Sequence, residues 1–267
     1  LVNHSLDSLQ ILAKTLTIVN MKHLLILGGT GDATELAAKA CAIPEVEVIT
    51  SLAGRTSQPQ APAGILRIGG FGGEAGLVEY LVEAKIDVVI DATHPFAKQI
   101  SFHAAAAAAT CKIPHLMLIR PAWERLPNDQ WVEVDSVEAA AAVLPEFAKR
   151  VFLTIGRQQL APFASLEDIW FLMRLIEPPA TEALVPSGVI LCDRGPFALD
   201  NEQKLLIDHQ IDTVVSKNSG GDATYAKIIA ARSLGVRVVM VKRPATPPGE
   251  EVSDVESAVA WLVNQLL

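Results

Sequence analysis

The chain has 267 residues, half of them apolar and 19% charged, with a net charge of −8. That content excludes a disordered or collagen-like chain and supplies a core for one large domain or two small ones. The acidic balance without Lys/Arg clusters argues against a bulk nucleic-acid binder, and no uncharged apolar run reaches the ~18 residues of a membrane span.

Residues 1–20 lack the basic start and small-residue cleavage site of a signal peptide. They read as an extension before a natural start at Met21, with an amphipathic helix packed on the fold as the alternative. Cys41, Cys111 and Cys192 are far apart with no CxxC pair. They read as buried thiols in a reducing cytoplasm, and no disulfide framework or metal site is expected.

From Met21 the apolar runs alternate between strand and helix lengths. The pattern predicts a strand over 23–28, a helix over 32–41 and a strand over 46–51. After a Gly/Pro/Gln-rich connection running to Arg67 come a helix over 73–84 and a strand over 87–91. A helix over 95–110, with six consecutive alanines, and a strand over 115–119 follow. Residues 120–130 (RPAWERLPNDQ) break the rhythm, which places a domain junction there. Beyond it the pattern predicts helices over 137–147, 199–209, 223–234 and 252–266. Its strands are 151–155, 170–176, 189–192, 213–216 and 236–241. This is an α/β chain of two doubly wound parallel-sheet domains, 21–122 and 123–267, with an inter-domain cleft near the carboxyl ends of the strands as the expected ligand site.

Several strand ends carry chemistry. At Gly28, Gly29, Thr30, Gly31, Asp32 and Ala33 a strand meets a helix through three glycines. Such a turn lets a pyrophosphate approach the free N–H groups of the helix N-terminus. The spacing is a variant, G-x-G-x-x-T from Gly29 to Thr34, and an ordinary glycine turn is the competing reading. The next strand ends without the acidic residue that grips the ribose of NAD. Ser51, Arg55 and Thr56 offer anion donors instead, which favours NADPH over NADH; the mid-strand Glu47 should point away from the tip. On this reading Arg55→Ala should weaken NADPH and spare NADH.

Residues 69–73 (GGFGG) form a loop that must approach something closely or move. Asp91, Thr93 and His94 follow a strand directly, with Pro95 suited to the first turn of the next helix. His94 is either a proton donor or a capping contact, and Asp91 is a second catalytic candidate. In the second domain Lys217, Asn218, Ser219, Gly220, Gly221 and Thr224 make a second strand–loop–helix anion cradle. Arg157 stands just after another strand of that domain.

With these segments in view, the chain resembles the precorrin-6A and cobalt-precorrin-6A reductase family of cobalamin biosynthesis. The resemblance rests on LGGTGDATELA, SLAGRT, RIGGFGG, DATHPFA, LIRPAW, FLTIGRQQL, DRGPF, KNSGGDATYAKIIAAR and VKRP, in that order over residues 21–244. It implies two Rossmann-like domains and a cytoplasmic enzyme that reduces one double bond of a tetrapyrrole macrocycle with a nicotinamide hydride. It further implies no metal or flavin, and the anion donors at the tip of the second strand make NADPH the expected donor, with NADH as the alternative. The dinucleotide would lie on the first domain, with Gly72, Thr93 and His94 towards the nicotinamide. His94, Arg157, Lys217 and the 218–221 loop would hold substrate carboxylates. Transient contact with neighbouring pathway enzymes is a further expectation; nucleic-acid and membrane partners are not.

Two rivals compete. A short-chain-type NADPH reductase needs a Tyr-x-x-x-Lys pair, but Tyr80 is followed at the fourth position by Ala84 and Tyr225 by Ile229. A non-catalytic NADPH sensor would have no use for a second anion loop.

Overall fold

The computed structural model describes residues 21–54 and 61–266. The chain folds into two parallel sheets of six strands. In chain order the first sheet's elements are β1 (Lys22–Leu27), α1 (Gly31–Ala40), β2 (Val46–Leu52), β3 (Ile65–Ile68), α2 (Glu74–Glu83), β4 (Val88–Asp91), α3 (Lys98–Cys111) and β5 (His115–Leu118). Then come β6 (Trp131–Val134), α4 (Val137–Val143), β7 (Arg150–Leu153), β8 (Trp170–Leu175), β9 (Gly188–Cys192), α5 (Leu199–Asp208), β10 (Thr213–Lys217), α6 (Ala226–Leu234) and β11 (Arg237–Val241). The last elements are β12 (Glu250–Val252) and α7 (Val255–Leu266).

The strand orders are β12-β5-β4-β1-β2-β3 and β6-β11-β10-β7-β8-β9. Each is the doubly wound order, reversing direction between β1 and β4 in one sheet and between β7 and β10 in the other. One part of the expected domain division is corrected. The chain from 123 onward is not one unit, because β12 pairs with β5 and α7 packs on α1 in the first sheet. β6, which follows β5 in the chain, pairs instead with β11 of the second sheet. The first sheet thus receives its outermost strand, β12, from the far side of the second, whereas β6 to β11 of the second sheet follow one another in the chain.

Both faces of each sheet are covered, as parallel strands require. In the first sheet Leu24, Ile26 and Ile90 pack with Leu36 of α1 and Leu262 of α7. On the opposite face Leu25, Leu27 and Val89 meet Leu77 of α2 and Ala104 and Ala107 of α3. The alanine run therefore supplies a thin helix face that lets α3 sit close to the strands. In the second sheet Leu153, Phe171 and Val239 face Phe163 and Leu144, while Phe152, Val214 and Met240 face Leu206 of α5 and Ile228 of α6.

That second face also buries charge. Arg174 of β8 and Glu202 of α5 pair at 2.6 Å with side chains only 5% and 3% exposed. The guanidinium lies against the rings of Phe152 and Phe197. Lys227 of α6 is buried beside them and donates to the Thr224 carbonyl. Burial, then the nearby Arg174, pushes its ammonium down to about 7, against the opposing pull of Glu202.

Three further expectations are corrected. Cys41 and Cys192 are exposed and Cys111 is half-buried, so these thiols do not belong to the cores. The helix expected from Pro95 starts at Lys98, because residues 95–97 are used in a turn closed by the Ala97 N–H on the His94 carbonyl. The helix expected over 252–266 is present as α7 but begins at Val255, because Val252 closes the short strand β12. The extension 1–20, Arg55 and Thr56 lie outside the described residues.

Candidate active site at the two switch points

The loops after β1 and β4 meet at the first switch point. Thr30 caps α1: its Oγ1 accepts from the Ala33 N–H (3.1 Å) and donates to the Ala92 carbonyl (2.7 Å), tying the two loops together. The Thr30 hydroxyl is thereby spent. With Ala33 N–H and Thr34 N–H both returned to Thr30, the amides of Gly31 and Asp32 have no acceptor among the described residues. Gly28 is needed for packing, since a Cβ there would stand 2.9 Å from the Thr50 methyl. Gly29 (φ +112°) and Gly31 face open space. Open amides at a helix N-terminus beneath unobstructed glycines fit a dinucleotide pyrophosphate.

Asp32 is not left as a bare carboxylate among those donors. Arg120, in the connector between the sheets, pairs with it at 2.8 Å and donates through Nε to the Ser219 carbonyl at 2.9 Å. One guanidinium therefore spans from the glycine loop of the first sheet to the loop after β10 in the second.

The loop after β4 is shaped by Asp91, a buried residue whose Oδ1 accepts from the Thr93 N–H (3.0 Å) and the Thr93 Oγ1 (2.6 Å). His94 follows. Its Nδ1 accepts from the Phe96 N–H at 3.2 Å, which leaves the proton on Nε2. Burial first, then the field of Arg120, Lys217, Arg243 and Lys227, pushes the imidazolium down to about 3. His94 is a neutral donor at physiological pH. Phe96 packs on the core of the second sheet, and Lys217 Nζ lies 5.3 Å from its ring centre.

The pH consequence has a definite sign. Between about 6.5, the free imidazole value, and the folded value near 3, the unfolded chain binds a proton that the folded chain refuses. Stability present above about pH 6.5 is therefore lost on acidification. His94→Asn should show a shallower loss than wild type in urea melts taken between neutral pH and about pH 4. Parallel curves would show that His94 does not carry this dependence.

The second-sheet loop is corrected as an open cradle. The Asn218 amide is wholly engaged with the Trp123 backbone, accepting from its N–H (2.8 Å) and donating to its carbonyl (2.9 Å). A Cβ on Gly220 (φ +66°) would lie 2.0 Å from the Pro121 carbonyl oxygen. Gly221 leaves room for the Arg120 side chain, and its carbonyl accepts from Trp123 Nε1. These residues clasp the connector. Arg243 completes the clasp by donating to the carbonyls of Asn218, Arg120 and Pro121. Thr224 offers its carbonyl to Lys227, and Arg157 pairs with Glu177 at 3.1 Å. Ser51 is buried at the tip of β2, where its Oγ accepts from Arg67.

Comparison with known proteins decides the family. The family model described as precorrin-6x reductase CbiJ/CobK matches residues 23–263. The precorrin-6A reductase of Rhodococcus erythropolis is 48% identical over 91% of this chain and 98% of its own length. A solved structure titled CobK precorrin-6A reductase superposes with a TM-score of 0.87 at 41% identity, covering 92% of this chain and 97% of that one. The cobalt-precorrin-6A reductase of Priestia megaterium is 29% identical over 91% of this chain and 98% of its own length. The chain belongs to the precorrin-6x reductase family.

Membership makes it an oxidoreductase acting on a tetrapyrrole intermediate of cobalamin biosynthesis. The two-sheet fold matches that of its solved relative. Among the described residues no helix is long and apolar enough to cross a membrane. Sequence reasoning about this precorrin-6x reductase did not single out Arg67, Phe96, Arg120 and Arg243, which the fold places around the candidate loops. Their motifs, RIGG, HPFA, LIRPAW and VKRP, hold the signal: a cation or aromatic ring beside a glycine or proline at a strand end.

Proposed function

We propose that the chain reduces one double bond of the precorrin-6A macrocycle, drawing the hydride from NADPH bound on the first sheet. The observation that carries this reading is Arg120, which joins the glycine loop with its open Gly31 and Asp32 amides to the loop after β10 and, together with Lys217 and Arg243, puts positive charge around His94. An acidic protein has concentrated positive charge at the place where a polycarboxylate ring would have to approach a dinucleotide. When bound, the dinucleotide supplies the hydride. The chain's own residues position the reactants and exclude alternatives.

In this reading the pyrophosphate lies on the amides after β1, with Gly72, Thr93 and His94 towards the nicotinamide. Asp91 holds Thr93, and through it the loop bearing His94. Neutral His94 offers an Nε2–H hydrogen bond to a ring nitrogen or carboxylate, and water supplies the proton that follows the hydride. His94→Ala should therefore lose less than about a hundredfold in turnover with its pH profile kept, since a proton donor would be worth about 10²–10⁴. A loss of several thousandfold with the acid limb abolished would make His94 the general acid.

Lys217 and Arg157 are read as carboxylate anchors, and Arg157 also pairs with Glu177. Lys217→Ala should weaken tetrapyrrole binding by about 10–150-fold, the worth of a charge-assisted contact, and leave NADPH affinity intact. Isothermal titration with each ligand separately measures this, and weakened NADPH with normal tetrapyrrole binding would reverse the assignment of the sheets. The 48% identity to a precorrin-6A reductase, against 29% to a cobalt-precorrin-6A reductase, supports the cobalt-free macrocycle as substrate. A cytoplasmic setting and transient contact with neighbouring pathway enzymes belong to the same reading. The deciding assay follows NADPH and NADH oxidation with cobalt-free and cobalt-bearing precorrin-6A side by side. Oxidation that does not depend on the tetrapyrrole would sink the proposal.

A further inference from the structure

The tip of β2 carries a feature that the dinucleotide reading does not use. Arg67 of β3 stands in register opposite Ser51 of β2. Its Nη1 donates to Ser51 Oγ at 3.0 Å and to the Gly69 carbonyl at 2.7 Å, and its Nη2 donates to the Gly70 carbonyl at 3.0 Å. The guanidinium plane rests on Phe71, 3.8 Å from the ring centre, with Tyr80 at 4.8 Å. Every one of these partners is neutral. Among the described residues no carboxylate pairs with Arg67.

Those contacts fix the guanidinium without cancelling its charge. A cation held by carbonyls and a hydroxyl over an aromatic floor loses little freedom when an anion arrives, and unspent N–H donors remain for a bidentate grip. The glycine loop 69–73 acquires a purpose here: Gly69 (φ +124°) adopts a backbone shape that a side chain would strain, and its carbonyl is one of the two that seat the arginine. The position is also informative. In a sheet of this order the adenosine ribose lies over the carboxyl tip of the second strand, where NAD-binding chains place an acid. The acid nearest in sequence, Glu47, sits at the opposite end of β2 beside His23.

We propose that Arg67, seated by Ser51, Gly69, Gly70 and Phe71, is the specificity residue that reads the 2′-phosphate of the dinucleotide. The proposal rests on the reading that the first sheet binds NADPH, and it assigns the discrimination to the arginine of β3. Arg67→Gln should raise the Michaelis constant for NADPH by about 10–150-fold and change that for NADH by no more than about threefold. Arg67→Lys should recover only part of the loss, because it restores a charge but not the fork. A readout independent of turnover is calorimetric titration of adenosine 2′,5′-bisphosphate against adenosine 5′-monophosphate. Wild type should prefer the bisphosphate, and Arg67→Gln should bind both alike. Equal losses for NADPH and NADH would make Arg67 merely structural and overturn the proposal. If wild type discriminates, Arg67→Gln still discriminates and Arg55→Ala does not, the NADPH reading stands and Arg67 is the wrong residue. If wild type itself shows no preference, both fall together.

Discussion

Arg120→Ala should weaken dinucleotide binding by about 10–150-fold, the value of one charge-assisted contact, although Arg120 need not touch the ligand. The reason lies in what the arginine neutralises. Asp32 sits in the first turn of α1, next to the amides that would face a pyrophosphate, and Arg120 pairs with it at 2.8 Å. Without the guanidinium a bare carboxylate would repel the phosphates at close range. The same change frees the Ser219 carbonyl, so the 218–221 loop should loosen as well. The diagnostic is a rescue. Asp32→Asn in the Arg120→Ala background should restore much of the affinity, because the repelling charge is gone. Titration of NADP⁺ against the two single variants and the double variant measures this. Additive losses would show that the pair is structural and that charge at this turn does not govern phosphate binding.

Glu202→Leu is expected to cost about 3–5 kcal/mol of stability, the usual penalty for stranding a buried charge. Arg174 is only 5% exposed and its rings of contact, Phe152 and Phe197, cannot solvate it. The buried ammonium of Lys227 stands in the same neighbourhood and is repelled by Arg174. Removing the carboxylate leaves Arg174 without the anion that pairs with it. The paired replacement Arg174→Met with Glu202→Leu should be much milder than the single change, since an apolar pair of similar volume has no charge to desolvate. Urea unfolding of the single and double variants is the test. A loss below about 1 kcal/mol for Glu202→Leu would mean that water or a rearranged side chain reaches Arg174.

Much of this fold was legible because the central strands announce themselves. β1 and β4 are short apolar runs buried on both faces, closed by glycines or an aspartate, and their ends were placed within a residue or two. The strands that went unread, β3, β6 and β12, are all edge strands. Ile65–Ile68 carries an arginine and is largely exposed, Trp131–Val134 carries a glutamate, and Glu250–Val252 is mostly acid. An edge strand takes its form from the neighbour it pairs with, so its own residues need show no apolar run. The site followed the same division. The loop after β1 is a local strand–turn–helix event and could be read from spacing. The 218–221 loop has the same local grammar, yet its glycines answer to Pro121 and Arg120, about a hundred positions earlier in the chain. Nothing within a loop's own residues tells a ligand from a distant stretch of backbone. Arg67 was hidden for a related reason: its anion-reading character comes from which acceptors it lacks, a property of the folded surroundings.

The return of β12 to the first sheet has a consequence for how the molecule comes into being. β5 finds its outer neighbour only after β6 to β11 have been threaded through the other sheet. During synthesis the first sheet must wait with β5 open at its edge and the α1 face uncovered by α7 until the second sheet has been made. Contacts so far apart in sequence are slow to form, and an unpaired strand edge held open in the meantime invites pairing with another chain. The second sheet's β6 emerges before its partner β11 and lies nearest in the chain to the waiting β5. Correct assembly is thus a choice made twice, each strand passing over its neighbour in the chain for a more distant one. The first sheet is not an independent folding unit: cutting the chain at the connector would leave β12 attached to the second sheet and absent from the first.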